Sequence, residues 1–135
     1  MSPRRAHERS RVSVCFWLLL LIAFGLGSRR LGGLPEWITL YAGDVAWGAL
    51  FFTLFCLVRP TLSPAGAWVA AVVTTEIIEF SELYHTPWLD ALRATRAGGL
   101  LLGHLFLWSD VVCVALGATL AAGAELAWQR VRPNH

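Results

Sequence analysis

The chain has 135 residues, 56% of them hydrophobic, and a mean hydropathy of +0.58, whereas ordinary soluble domains are roughly 45–50% apolar. Only 15% of the residues are charged and the formal net charge is +2, which is too small to indicate a nucleic-acid-binding protein. The apolar stretches are too long and too many for one soluble core of this size. The sequence therefore predicts a single integral membrane domain over residues 1–135.

Four stretches have the length and apolarity that predict transmembrane helices, which need about 20 residues. They cover about 12–27, 37–58, 65–83 and 99–128. The two prolines of "RPTLSP" predict a tight connection that makes spans two and three an antiparallel hairpin. Between spans three and four, "HTPWLDALRATRAGG" predicts a short amphipathic helix at the membrane surface, with Trp88, Leu89 and Leu92 on its apolar side. The predicted fold is all-α, with four transmembrane helices and one interfacial helix.

The distribution of arginine predicts the orientation of this four-span layout. One side carries Arg4, Arg5, Arg9, Arg11, Arg59, Arg130 and Arg132, and the other carries Arg29, Arg30, Arg93 and Arg96. The positive-inside rule then predicts a multi-pass protein of the inner (plasma) membrane with both termini in the cytoplasm. Residues 1–11 would form a basic cytoplasmic tail. The alternative, a cleaved signal peptide over the first span, has less support because "FGLGS" lacks the A-x-A cleavage pattern.

Ionisable residues in the last three spans fall mostly in the outward half of this layout. Carboxylates that face lipid are costly, so we expect these groups to face one another or water. Glu76, Glu79 and Glu82 step by three along the chain and can line one face about 120° wide. Glu82 lies near the interface, and a solvated position there is an open alternative. The residues predicted to form an outward-facing, ligand-binding polar pocket are Asp44, Glu76, Glu79, Arg93, Arg96, His104 and Asp110.

Motifs for catalysis or cofactor binding do not occur in the sequence. There is no phosphate-binding glycine loop, HExxH helix or GxSxG elbow. Cys15, Cys56 and Cys113 lie in apolar segments without CxxC spacing, so we expect buried free thiols. No catalytic residue, metal or cofactor is therefore predicted.

Two stretches and their order resemble a bacterial membrane family catalogued as domain of unknown function 2809. They are "LPEWITLYAGDVAWGALFF" at 34–52 and "TTEIIEFSELYHTPWLDALRATRAGGLLLGHLFLWSDVVCVALGA" at 74–118. The positions on the family's pattern are Gly43, Asp44, Glu79, Arg93, Thr95, Gly103, Trp108, Ser109 and Asp110, whereas Glu82 stands where the family often has glutamine. The layout also resembles VanZ-type proteins, four-span membrane proteins linked to glycopeptide resistance. Neither resemblance implies an established biochemical activity.

The sequence favours a membrane protein that binds an envelope lipid, a lipid-linked head group or a small polar ligand in the outward-facing pocket. Arg93 and Arg96 would contact phosphate or carboxylate, and Glu76 and Glu79 would accept hydrogen bonds from hydroxyl or amine groups. The bilayer and this ligand are the expected partners, and self-association into a homo-oligomer stays open. The alternatives are a membrane enzyme acting on a lipid-linked phosphate or ester, and a small proton-coupled transport or assembly subunit. An enzyme has the weaker support, since no nucleophile or metal triad is evident.

Overall fold

The computed structural model describes residues 9–131, and every regular element in that range is a helix. The predicted all-α class is therefore confirmed. Residues 1–8, most of the predicted basic tail, lie outside the described residues, as does Arg132. The helices in chain order are α1 (Arg11–Arg30), α2 (Glu36–Val58), α3 (Pro64–Ser81), α4 (Pro87–Arg93), α5 (Arg96–Leu102) and α6 (Trp108–Val131).

Three of these helices, not the predicted four, are long and apolar enough to cross a membrane by themselves. They are α1, α2 and α6. The third predicted span corresponds to α3, which has 18 residues and carries Glu76 and Glu79 in its C-terminal half. The two glutamates lower the mean hydropathy of this short helix, so it does not qualify as an independent span. Of the four predicted spans, the third is therefore not supported by length and apolarity alone.

The fourth predicted span, 99–128, is divided in the structure. Helix α5 ends at Leu102, and α6 begins only at Trp108. Gly103 ends α5 with a φ of 63°, a left-handed conformation that glycine adopts at no steric cost. His104 therefore lies in a connection rather than inside a span. Two short helices, α4 and α5, likewise replace the predicted single interfacial helix. The Thr95 side chain caps the start of α5, where its hydroxyl accepts a hydrogen bond from the backbone N–H of Gly98 (3.0 Å).

Helices α2 and α6 pack backbone to backbone at two glycines. A Cβ added at Gly117 would lie 1.8 Å from the carbonyl oxygen of Val45, and one added at Gly48 would lie 1.9 Å from that of Val114. Small residues allow membrane helices to approach this closely. Gly123, later in α6, has nothing within 4 Å of an added Cβ. The close contact with α2 therefore does not extend to that part of α6.

Helix α3 turns a stripe of four residues toward the core. Ala67, Ala71, Thr75 and Glu79 recur every fourth position and are all buried, as expected for one face of an α-helix. Helix α1 differs, because only Val14 and Ser28 are buried along it. The apolar side chains of α1 are therefore free to face lipid.

Of the three cysteines, only Cys56 is buried, whereas Cys15 is exposed and Cys113 is half-buried. The expectation of buried thiols therefore holds for Cys56 alone.

One arginine ties three parts of the chain together at one end of the bundle. The Nε of Arg9 pairs with Oε1 of Glu125 near the end of α6 (2.9 Å). Its Nη1 donates to the carbonyl oxygens of Pro60 (3.0 Å) and Leu62 (2.7 Å), in the connection between α2 and α3. The start of α1, the α2–α3 connection and the end of α6 therefore meet at this end. The end of α3 and the start of α6 meet at the other.

Candidate functional site

A cavity of about 520 Å³ lies between the helices at the end opposite Arg9. Its wall is built from the C-terminal half of α1, the middle of α2, the end of α3, α5 with the connection after it, and the first turn of α6. Most lining residues are apolar, and leucines from α1, α2 and α5 predominate. The ionisable residues that line the cavity are Arg29, Asp44, Glu79, Glu82, His104 and Asp110.

Four of the seven predicted ligand-binding residues meet at this cavity: Asp44, Glu79, His104 and Asp110. Asp44 comes from α2, Glu79 from the last turn of α3, and Asp110 from the first turn of α6. Glu79 is 7% exposed, and its charge interacts with those of Asp110, Asp44 and Glu82. The structure thus brings acids from three separate helices into one chamber.

Among the residues that line the cavity, Arg29 is the only arginine or lysine, and it lies in the last turn of α1. From the sequence alone it served only to assign orientation. Its Nη2 lies 3.1 Å from Oδ1 of Asp44. A Cβ added at Gly43 would lie 2.8 Å from Nε of Arg29, so the absent side chain of Gly43 makes room for the guanidinium. The signal that could have revealed this pair is the antiparallel turn between α1 and α2, which brings the end of one helix beside the first half of the next.

Glu82 is buried, although the sequence left a solvated position open for it. It follows the last residue of α3, is 6% exposed, and lies against Gly103, where a Cβ would collide with its Oε1. Its Oε2 has no hydrogen-bond partner among residues 9–131. Burial raises the pKa of the Glu82 carboxyl, and the charges of Asp110 and Asp44 raise it further while Arg93 opposes them.

The other three predicted residues, Glu76, Arg93 and Arg96, do not line the cavity. Glu76 is half-buried on α3, and Arg96 is exposed at the start of α5. Arg93 is 3% exposed and donates from Nη1 to the carbonyl oxygen of Tyr84 (2.9 Å) and from Nη2 to that of Ser81. These bonds satisfy carbonyls at and just beyond the C-terminus of α3, which have no partner within the helix. Neither of the two arginines predicted to contact the ligand therefore lines the cavity, and Arg93 holds α4 to the end of α3.

The polar side chains at the cavity are four carboxylates, one guanidinium and an exposed imidazole. His104 lies over Gly99, where a Cβ would come within 2.6 Å of its Nε2. Asp110 accepts a hydrogen bond from the Ser109 hydroxyl (3.1 Å). Within residues 9–131, no group of three or more His, Cys, Asp or Glu side chains could hold a metal ion. The arrangement is suited to accepting hydrogen bonds from hydroxyl or ammonium groups, or to holding protons.

The family comparison bears on the same region. The family model described as "Protein of unknown function (DUF2809)" matches residues 33–118, more than half of the chain. The chain belongs to the DUF2809 family. The resemblance read from the sequence is thereby confirmed, whereas the likeness to VanZ-type proteins stays a prediction. The match includes every cavity carboxylate and leaves out Arg29. No solved structure matches the DUF2809 chain.

Proposed function

We propose that this DUF2809 protein binds a small polar ligand or a lipid head group in the cavity between α1, α2, α3 and α6. The observation that carries the proposal is Glu82. Its side chain lines the cavity, is more than nine-tenths buried, and leaves Oε2 without a partner among the described residues. Buried polar atoms in folded proteins are almost always hydrogen-bonded, so an orphaned carboxylate oxygen at a cavity needs a partner from outside the described residues, such as water or a bound ligand.

The size and wall of the cavity support the same proposal. Its volume of about 520 Å³ falls within the roughly 300–1,000 Å³ range of small-molecule sites. Such sites are mostly apolar with a few converging polar groups. Here leucines such as Leu26 and Leu50 form the apolar part, and Asp44 and Glu79 are among the converging groups.

The proposed topology has four membrane crossings, made by α1, α2 and α6 together with α3. The Arg9 contacts support it, because they hold the α2–α3 connection and the end of α6 at one end of the bundle. Helix α3 must then return along the bundle, and its buried stripe keeps Thr75 and Glu79 away from lipid. Both termini would lie on the same side, in the cytoplasm of the inner membrane if the positive-inside rule holds. Three arginines of that count, Arg4, Arg5 and Arg132, lie outside the described residues.

A thermal-unfolding screen of the detergent-purified protein tests ligand binding. The ligands would be free head groups and small polar molecules: phosphoethanolamine, choline, glycerol phosphate, sugars and amines. Ala97 is exposed and lines the cavity, whereas Ala94 is equally exposed and does not. Ala97→Trp would fill part of the cavity without disturbing the core, and Ala94→Trp is the matched control.

We expect at least one ligand to raise the melting temperature of the parent and of Ala94→Trp, and not of Ala97→Trp. A ligand that stabilises all three proteins equally binds elsewhere. If no ligand in the screen stabilises the parent, the proposed function is wrong.

A further inference from the structure

The cavity wall carries more negative charge than its own cations can neutralise. Four carboxylates line it, from Asp44, Glu79, Glu82 and Asp110. The guanidinium of Arg29 pairs with Asp44, and none of the other three acids forms an ion pair with a residue of the described chain. Bringing several uncompensated carboxylates into a half-buried space is costly. A bound positive charge would remove that cost.

The geometry argues for an organic cation rather than a metal ion. No set of three or more ligating side chains within residues 9–131 converges on one point, and hard divalent cations need six or more oxygen ligands at close range. An ammonium group needs only two or three acceptors. The orphaned Oε2 of Glu82 and the carboxylate of Glu79, which lies three residues earlier on the same side of the helix end, provide such acceptors.

The apolar part of the cavity wall would hold an apolar body. It includes Leu21, Leu26, Leu50, Leu101 and Leu105, contributed by α1, α2, α5 and the connection after α5. A ligand that carries both a charged group and an apolar body would therefore find a matching surface for each.

We propose that the cavity's ligand is an organic ammonium compound, whose positively charged group donates hydrogen bonds to Glu79 and Glu82 and whose apolar body packs on the leucine wall. This inference rests on the proposed function, since it assumes that the cavity binds a ligand. It adds the charge and the chemical class of that ligand. Hydrogen bonds from an ammonium group to a carboxylate are roughly twice as strong as neutral ones, which gives the site a preference for amines over alcohols of the same shape.

The test compares three probes that share a phenyl body and differ in charge: 2-phenylethylamine, 2-phenylethanol and 3-phenylpropionate. Dissociation constants would be measured by calorimetry on the protein in micelles of an uncharged maltoside detergent, which carry no charge to concentrate the amine and no ammonium group to compete with it. The variants are Glu79→Gln/Glu82→Gln, which removes charge at nearly constant shape, and Glu76→Gln, which makes the same change on α3 outside the cavity. Ala97→Trp blocks the cavity without changing its charge and serves as a second site variant.

We expect the amine to bind the parent at least about tenfold more tightly than the alcohol, as one charge-assisted hydrogen bond supplies. The double variant should weaken amine binding by at least about tenfold, and Glu76→Gln should change it by less than about twofold. Ala97→Trp should abolish binding of all probes. A melting curve for each variant confirms that it is folded at the assay temperature.

Other outcomes overturn the inference in distinguishable ways. If the alcohol or the carboxylate binds as tightly as the amine and Ala97→Trp blocks it, the cation class is wrong while the cavity still binds a ligand. If the amine fails to bind but a non-cationic molecule from the thermal screen does, the cation class is again wrong. If neither the probes nor any ligand of the thermal screen binds, this inference and the proposed function are both wrong. Equal weakening by Glu76→Gln would show that the amine responds to the net charge of the protein rather than to this site.

Discussion

At the scale of single residues, burial and hydrogen bonding reassign the role of Arg93. The sequence made it a ligand contact because it follows an acidic helix. In the structure its guanidinium is almost completely buried and donates to the carbonyl oxygens of Ser81 and Tyr84. Backbone carbonyls at a helix end compete for any nearby guanidinium, and no pattern of charged residues reveals that competition.

Arg93→Ala should destabilise the protein by about 2–4 kcal/mol, since it removes an almost completely buried guanidinium that donates to the carbonyl oxygens of Ser81 and Tyr84. Arg96→Ala is the matched control, because Arg96 is exposed three residues later, and it should change stability by less than about 0.5 kcal/mol. Thermal and denaturant unfolding in detergent would measure both. If Arg93→Ala melts with the parent but loses ligand binding, the sequence-based assignment was right.

Glu82→Gln should stabilise the protein at neutral pH. Burial raises the pKa of this carboxyl above its ordinary value of 4.5, so the folded state holds the proton more tightly than the unfolded state does. The parent therefore loses stability as the pH rises above 4.5, and this loss is complete once the pH passes the raised pKa of the folded protein. The glutamine variant lacks this loss.

The measurement is the melting temperature of parent and variant between pH 4 and pH 8. The variant should melt higher at pH 7.5, and the difference should shrink toward pH 4, where Glu82 is protonated in both states. Glu36→Gln, at the exposed start of α2, provides the control. A difference that stays constant across the pH range would mean that the charge of Glu82 is not its cause.

At the scale of helices, the tightest contact is the glycine-mediated one between α2 and α6. Gly117→Ala would put a methyl group against the Val45 carbonyl, so the helices must separate, at a cost of about 1–3 kcal/mol. Gly123→Ala, six residues later in the same helix and in open space, should instead be neutral or stabilise by up to about 1 kcal/mol. Unfolding of the two variants side by side gives the comparison. Equal stability would mean that the α2–α6 packing tolerates an added methyl group.

The first three helices were predictable from the sequence, and the last part of the chain was not. The apolar runs in α1, α2 and α3 are bounded by charge, glycine and proline, so their ends fell within three residues of the predicted limits. The run "GGLLLGHLFLW" is apolar except for His104, and a single histidine does not predict a break in a span. The break depends on the positive φ of Gly103 and on the Glu82 carboxylate beside it, which is a tertiary contact. The Arg29–Asp44 pair was missed for the same reason.

At the scale of the whole molecule, the bundle is polarised along its length. One end is held by Arg9, whose donors are matched by Glu125 and two backbone carbonyls. The other end holds the acidic cavity, where acceptors outnumber donors. The large exposed hydrophobic side chains of α1, α2 and α6 lie between them. A second cavity, of about 460 Å³, lies at the Arg9 end, but there the charges of Arg9 and Glu125 match each other. The unmatched acceptors therefore lie at the end where the ligand is proposed to bind.

The four-crossing topology depends on α3, which is too polar on average to be recognised as a span by itself. Its 18 residues extend about 27 Å at 1.5 Å per residue, close to the roughly 30 Å of a hydrocarbon core. Its buried stripe packs against α2 and α6, so Glu79 need not meet lipid. If it crosses, the connections before and after it must open to opposite sides of the membrane.

Labelling of single cysteines in sealed vesicles tests this arrangement directly. In a background with the three native cysteines replaced by alanine, Thr61→Cys, His85→Cys and Arg130→Cys place thiols at exposed positions before α3, after α3 and near the end of α6. A membrane-impermeant maleimide should react with the first and third from one side and with the second only from the other, while detergent should make all three reactive. If positions 61 and 85 react from the same side, α3 does not cross. The cavity and the Arg9 end would then face the same compartment, and the polarity of the bundle would lie within the membrane plane rather than across it.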